Sequence, residues 1–338
     1  MDGFFVNIPG AQTSVQDEGR FGYQWSGMCP SGAMDMHSLR VANILVGNKM
    51  NEAGLEVTLT GPDMTFMTDE VIAITGADIS PMLDGTPIPM YCAISVKKGQ
   101  HVHFGARKTG CRAYIAFAGG LDIEPMYDSR STWVRINIGP IDHALRKGDM
   151  IGFRAPSASL PQMAARSIAP ETIESKDIEI RVLLGPQDDL FTEEGIANFF
   201  GKDGYKVSNL CNRQGYRLEG PNVELIKKGS IVSDGIAKGA IQVPPSEQPI
   251  ILLSERQSTG GYAKIGNVIS VDIPKVGQAI AGSRLRFKKV SIEEAQRLLA
   301  DEAAYLENLE SRIKEAKPTE YRVKINQSVY HIAIQEMA

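Results

Sequence analysis

Lys98-Gly99-Gln100-His101-Val102-His103-Phe104 sets how the rest of the chain is read. A glycine turn feeds a short alternating strand that ends in phenylalanine. The same phrase returns as Lys147-Gly148-Asp149-Met150-Ile151-Gly152-Phe153 and as Ala281-Gly282-Ser283-Arg284-Leu285-Arg286-Phe287. Glycine permits the tight reversal, and strand alternation sends every second side chain to one face. Outward from these phrases, alternating and β-branched runs predict strands at 55–59, 71–75, 94–97, 113–118, 178–184, 231–232, 250–253 and 268–273. A second echo links Leu55-Glu56 before Gly61-Pro62 with Leu218-Glu219 before Gly220-Pro221. The chain therefore reads as mainly β, in two related units. Residues 1–155 form the first and 177–290 the second. The Ala-, Ser- and Pro-bearing stretch 156–176 lacks clean periodicity and reads as a linker.

Three helices interrupt the strands. One spans 33–46, with Gly47 as its stop. A second follows Thr192, a capping residue with Glu193 and Glu194 at the positive helix end. The longest opens on the capping box Ser291 and Glu294 and carries the stripe Ala295, Leu299, Leu306, Leu309 and Ile313 until Pro318 ends it. Alternation at Tyr321, Val323 and Ile325, the turn Asn326-Gln327-Ser328, and alternation at Tyr330, Ile332 and Ile334 predict a hairpin. Residues 291–338 are thus a C-terminal helix and hairpin.

Bulk composition narrows the function. A chain of 338 residues that is 43% hydrophobic can bury a core, and its 33 glycines and 18 prolines suit short strands and turns. A net charge of −4 excludes the basic stripe of a nucleic-acid binder. No run of 18 apolar residues is present and residues 1–12 lack the regions of a secretory signal, so neither membrane nor export is expected. Cys29, Cys92, Cys111 and Cys211 are too scattered for a C-x-x-C site and read as reduced thiols, which places the protein in the cytoplasm.

Standard phosphate loops and the G-x-S-x-G elbow are absent. His101 and His103 share a strand face without a third ligand, and His37, His143 and His331 read as isolated residues, so no metal site is expected. What stands out is four stretches rich in glycine and polar side chains: 12–23, 30–35 leading to Asn43, 239–245, and Gln257-Ser258-Thr259-Gly260-Gly261-Tyr262. Such loops either approach and hydrogen-bond a ligand or simply make turns.

These stretches, together with Thr75-Gly76-Ala77-Asp78, the run 112–122 and Ser129-Arg130-Ser131-Thr132, resemble the hallmark motifs of the biotin-dependent carboxyltransferase family, also called allophanate hydrolase subunit 2. They occur in the family's order. Gln214 stands where the family has methionine, and Glu255 where it has aspartate. The resemblance implies two cyclophilin-like β-barrel units with a few helices. It also implies a partner of the allophanate hydrolase subunit 1 type, as in the B and C subunits of 5-oxoprolinase, with a third subunit completing that enzyme. The tail reads like the opening hairpin of a biotin carrier without the Ala-Met-Lys-Met site that would follow, so the chain is not expected to carry biotin.

The leading expectation is a subunit of an ATP-dependent lactamase that opens 5-oxoproline, using ATP and Mg2+ and inactive alone. Gln242, Gln257, Thr259, Tyr262, Asp17 and Asp35 are the catalytic candidates. Arg20, Arg213, Ser31, Asn43, Gly260 and Gly261 are the candidates for substrate or nucleotide binding. Amides, hydroxyls and glycine backbone suit a developing oxyanion, arginine forks suit phosphate or carboxylate, and Asp17, Asp35 or Glu255 suit a base or a magnesium contact. Two alternatives use the same residues: carboxyl transfer from biotin on a separate carrier to urea or a similar amide, and non-enzymatic antagonism of a kinase-inhibitor-like partner.

Overall fold

A computed structural model describes residues 2–174, 176–227, 229–315, 319–325 and 328–334, the last two stretches by backbone alone. The first unit is two antiparallel sheets over one core. A six-stranded sheet runs Met150–Gly152, Gly3–Ile8, Asp63–Phe66, His101–Phe104, Pro81–Leu83, Thr86–Pro87. A five-stranded sheet runs Gln12–Gln16, Gly54–Thr58, Arg112–Phe117, Glu70–Gly76, Ala93–Val96. Phe4, Phe66, Phe117 and Phe153 meet between them, with Phe4 stacked on Phe117 at 5.3 Å.

The second unit closes into a seven-stranded barrel: Asp177–Leu184, Ala263–Val268, Ala240–Val243, Ile250–Leu252, Gly215–Glu219, Tyr205–Cys211, Arg284–Lys289. Parallel pairing of Asp177–Leu184 with Arg284–Lys289 makes the closure, from Asp177↔Arg284 to Val182↔Lys289. A closed barrel leaves no unpaired edge. The recurring phrase now has its physical reason. Gly99, Gly148 and Gly282 have φ near +90° at the turns. The terminal phenylalanines anchor cores: Phe104 and Phe153 in the first unit, and Phe287 stacked at 4.4 Å on Phe199 in the second.

Among the described residues, four α-helices decorate this frame: α1 (Met36–Leu45), α2 (Glu193–Phe199), α3 (Ile273–Gln278) and α4 (Ile292–Glu315). Thr192 caps α2 by accepting from Gly195 N at 2.9 Å, Ser291 Oγ accepts from Glu294 N, and Gly47 follows the end of α1, as their sequences suggest. The stripe residues Leu306, Leu309 and Ile313 of α4 pack on Val41, Leu45 and neighbours from α1, and the linker adds Leu160, Met163 and Ile168 to the same cluster. The expected stop at Pro318 and the turn at 326–327 lie outside the described residues. The strands Thr319–Ile325 and Ser328–Ile334 do pair antiparallel.

Three expectations change. The apolar run 268–273 is not a strand. Ala263–Val268 ends there, and a 3₁₀ turn (Ser270–Asp272) leads into α3, with Pro274 in the first turn, where a missing N–H costs nothing. Residues 231–232 are not in a strand, and the pairing begins at Asp234–Gly235. The first helix starts at Met36 rather than 33, because Asp35 caps it. Among the described residues, no helix is long and apolar enough to cross a membrane.

Candidate functional site

The family-like motifs converge on the seam between the two units, and a buried polar network forms its floor. Arg213 Nε reaches Glu255 at 2.7 Å, Nη2 donates to Gly32 O at 2.7 Å, and Nη1 pairs with Glu56. Glu56 also accepts from Met34 N and the Tyr114 hydroxyl, both at 2.8 Å. Arg112 crosses the seam to the Tyr216 hydroxyl at 2.7 Å and to Gly277 O. Burial pushes Glu56 upward, but Arg213 and Arg112 outweigh it and hold its carboxyl below the usual range. Burial opposes the charge on Arg213, yet Glu56 and Glu255 raise its pKa further. Arg213 is thus committed to joining the units, with its fork already filled.

The first-unit candidates are similarly occupied. Asp17 accepts from Gly19 N (2.7 Å), Ser129 Oγ (2.7 Å), Arg130 N (2.6 Å) and Ser131 Oγ (2.5 Å), so its carboxylate organises the Ser129–Thr132 loop. Asp35 caps α1 through Ser38 N at 2.9 Å and also receives Ser38 Oγ and Gln278 Nε2, both at 2.7 Å. Asn43 lies further along α1, donating to Glu52 O at 2.8 Å and accepting from Asn48, away from the seam's recesses. Ser31, at φ +57°, is buried with a long 3.5 Å contact to Thr132 O. Arg20 differs. Its Nη2 donates to Ser131 O, while Nε and Nη1 are buried without a hydrogen-bond partner among the described residues. Burial lowers its pKa against the pull of Asp17, Cys29 and Glu255.

The second-unit candidates form a looser cluster. Gln242 projects from the strand Ala240–Val243, and its Nε2 makes only a 3.4 Å contact with Tyr262 O. A Cβ on Gly260 would stand 2.7 Å from that Nε2 and 3.5 Å from Gln257 Nε2, so both amide side chains lie close over this backbone. Gln257 Oε1 accepts from Gln214 at 3.2 Å, and Gln214 in turn accepts from Arg135 of the first unit. Thr259 and Tyr262 are exposed. Thr259–Gly260 pairs with Asp234–Gly235, which Lys264 latches through Asp234 at 2.6 Å. Gly261 sits beside Ile231 O. The structure therefore brings Gln242, Gln257, Gly260 and Tyr262 together, and separates them from Asn43.

Two recesses open on the seam. The smaller, about 270 Å³, is walled by Trp133, Arg135, Gln214, Glu255 and Gln257. The larger, about 720 Å³, includes Asp35, His37, Lys238, Gln278, Glu171 and Glu302 in its wall. Sequence reasoning missed two of these. Lys238 donates to Ala33 O at 2.8 Å, and burial, with Arg256 and Arg213 nearby, lowers its pKa to about 7. Its only local signal is its place just before the Gly239 turn. His37, read as an isolated residue, is clamped between Glu171 at 2.8 Å and Glu302, with Tyr305 stacked at 5.9 Å. Burial disfavours its charge, but the two carboxylates raise its pKa to about 10. Its partners lie far off in sequence, in the linker and α4. Among the described residues, no group of three or more His, Cys, Asp or Glu side chains is placed to hold a metal ion.

Comparison with known proteins matches residues 26–289 to the model of the carboxyltransferase domain, subdomains A and B. The chain is 34% identical to the C subunit of 5-oxoprolinase from Escherichia coli, over 90% of this chain and 96% of that protein. It is 34% identical to the urea amidolyase of Saccharomyces cerevisiae over 90% of this chain, but only 18% of that protein. The solved structure of the Kluyveromyces lactis urea amidolyase superimposes with a TM-score of 0.83 at 33% identity, covering 91% of this chain and 20% of that one. With most of its length matched by the family model, the chain belongs to the carboxyltransferase-domain family, subdomains A and B.

Proposed function

We propose that this chain is the C-type subunit of an ATP-dependent 5-oxoprolinase, and that the larger recess holds the lactam. The observation that carries the reading is similarity to proteins of that name: the chain is 34% identical to the C subunit of 5-oxoprolinase from Escherichia coli and 33% identical to that of Haemophilus influenzae, over 96% and 97% of those proteins. The recess adds chemical support. A lactam resists opening until charge on its oxygen or nitrogen is stabilised, and an amine titrating near neutrality can donate or accept the necessary proton. Lys238 is placed for that task, while Asp35 and Gln278 are saturated and hold the wall in shape.

ATP is a co-substrate in this reading. The wall's cations are mostly engaged: Arg40 with Glu18, His37 with Glu171 and Glu302, and Lys275 with Asp272. These residues fit neither a resident magnesium ion nor an unshared triphosphate, so the nucleotide is assigned to a surface completed by companion subunits. Those companions are an allophanate hydrolase subunit 1-type chain and a third subunit.

The test is reconstitution. The chain mixed with both companions should release phosphate and glutamate from ATP and 5-oxoproline, and the chain alone should give neither. Turnover of urea with carboxybiotin, and none of 5-oxoproline, would instead establish carboxyl transfer. Stable binding to the first companion with no chemistry would establish a regulator.

A further inference from the structure

Basic side chains around the seam are mostly matched to acids, which makes the unmatched ones informative. Arg213 has Glu56 and Glu255, Arg181 has Asp272, and Lys264 has Asp234. Arg256 does not follow this pattern. It is 7% exposed, and its guanidinium meets only the carbonyls of Ile236 (3.0 Å) and Leu253 (3.3 Å), with no carboxylate partner among the described residues. Lys238 likewise makes no ion pair among them. Its half-buried amine donates to Ala33 O and forms part of the wall of the larger recess. Lys238 lines the cleft, and Arg256 lies outside its wall but near enough to act on the amine's charge; Asp35 shares the wall but is taken up by Ser38 and Gln278, so the amine is left without an ion pair among the described residues.

The geometry points to an oxyanion-binding pole in the larger recess, where the Lys238 amine, backed by Arg256, receives the carboxylate of an anionic amide substrate and takes up a proton from solvent as it does so. This rests on the reading of that recess as the substrate's. The electrostatics around the amine set the coupling. Burial, Arg256 and Arg213 disfavour its charge, while Glu56 and Asp35 favour it, leaving it near pH 7. Arg40, His37 and Lys275 add further positive charge to the same wall, and Glu18, Asp35, Glu171, Glu174 and Glu302 add negative charge to it. An arriving oxyanion tips the balance toward the ammonium, because opposite charge favours the charged form. A neutral amide lacks that effect.

The experiment reads the amine directly. The full chain is labelled briefly with fluorodinitrobenzene from pH 5 to 10, and Lys238 is followed by peptide mass spectrometry. At pH 7 its unprotonated fraction should exceed that of an ordinary exposed lysine by roughly a thousandfold. Saturating 5-oxoproline, acetate or inorganic phosphate should each be tried beside neutral 2-pyrrolidinone. Protection of at least tenfold, with an upward-shifted midpoint, by 5-oxoproline and acetate but not by 2-pyrrolidinone supports the pole. Protection by phosphate alone overturns its assignment to carboxylate. A labelling midpoint near ten, or equal protection by the neutral lactam, overturns it altogether. A second measurement does not depend on variants of Arg256 folding. At pH 7, calorimetry of acetate binding in two buffers of different ionisation enthalpy should show uptake of up to about half a proton, abolished in Lys238→Met. If acetate protects while the reconstituted complex fails to turn over 5-oxoproline, the lactam reading falls and the pole stands.

Discussion

The polar, glycine-rich stretches of the two units are alike in composition and opposite in use. In the first unit, Asp17 is surrounded by four short donor contacts and Asn43 and Asp35 are likewise spent on the fold. In the second, Gln257 and Thr259 are exposed, and Gln242 has one long contact. A carboxylate saturated by its own loop cannot readily serve as a base, whereas an amide with a free N–H can meet a ligand. The contrast teaches that residue type marks where polar chemistry is concentrated, and hydrogen-bond saturation decides whether it builds or binds.

The sharpest way to break this contrast is at Asp17 and Arg213. Asp17→Ala leaves two hydroxyls and two backbone amides without their acceptor, and Arg213→Met strands Glu255 and leaves Glu56 with Arg112 as its remaining counter-charge at the buried seam. Each should lower unfolding free energy by roughly 3–5 kcal/mol, measured by urea denaturation. A loss below about 0.5 kcal/mol for Asp17→Ala, within the range of ordinary surface substitutions, would mean the first unit's motif is not structural after all.

Gln257→Ala is the complementary variant. Stability should move by less than about 0.5 kcal/mol. Gln257 lines the smaller recess and not the one assigned to the lactam, so turnover by the reconstituted assembly should stay close to that of the wild type. A fall of roughly 10²- to 10³-fold, the size of a lost oxyanion donor, would move the reaction to the smaller recess and the second unit's cluster. Gly260→Ala sharpens the point, since the added methyl meets only the ends of the Gln242 and Ile236 side chains at under 3 Å. Both ends can swing aside, so the cost should stay at the low end of overpacking, about 1 kcal/mol, as a thermal melt would show.

The sequence made local things legible. Thr192, Ser291 and Gly47 mark helix ends because capping is decided within a turn. The phenylalanine-ended phrases mark strands because the turn and the anchor are adjacent. Closure of one unit and not the other depends on Asp177–Leu184 finding Arg284–Lys289, a pairing no window contains. The run Val268-Ile269-Ser270-Val271-Asp272-Ile273 has strand composition, yet Asp272 is captured by Arg181 and Lys275, which turns the chain into α3. The site divides in the same way. Motif reading reached the seam, but Lys238 acquires its character from Arg256 and Arg213, and His37 from Glu171 and Glu302.

The smallest effect separates the last two. His37 has a folded pKa near 10, above its ordinary 6.5, so its stabilising contribution is complete below about 6.5 and is lost as pH rises through about 10. Lys238 has the opposite sign. Its folded pKa near 7 lies below its ordinary 10.5, so the unfolded chain binds more protons between those values and stability rises with pH across them. Buried Glu70, raised to about 7 by burial, lowers stability as pH climbs from its ordinary 4.5, mostly below this window. Between pH 7 and 10 the two basic groups therefore oppose each other, and the wild-type stability curve should be shallow. His37→Gln should cost about 1 kcal/mol at pH 7 and leave the upward slope of Lys238. Lys238→Met should leave the downward slope of His37. Urea unfolding at half-unit steps from pH 7 to 10 resolves the two slopes, and parallel curves for both variants would show that neither group is held as its surroundings imply.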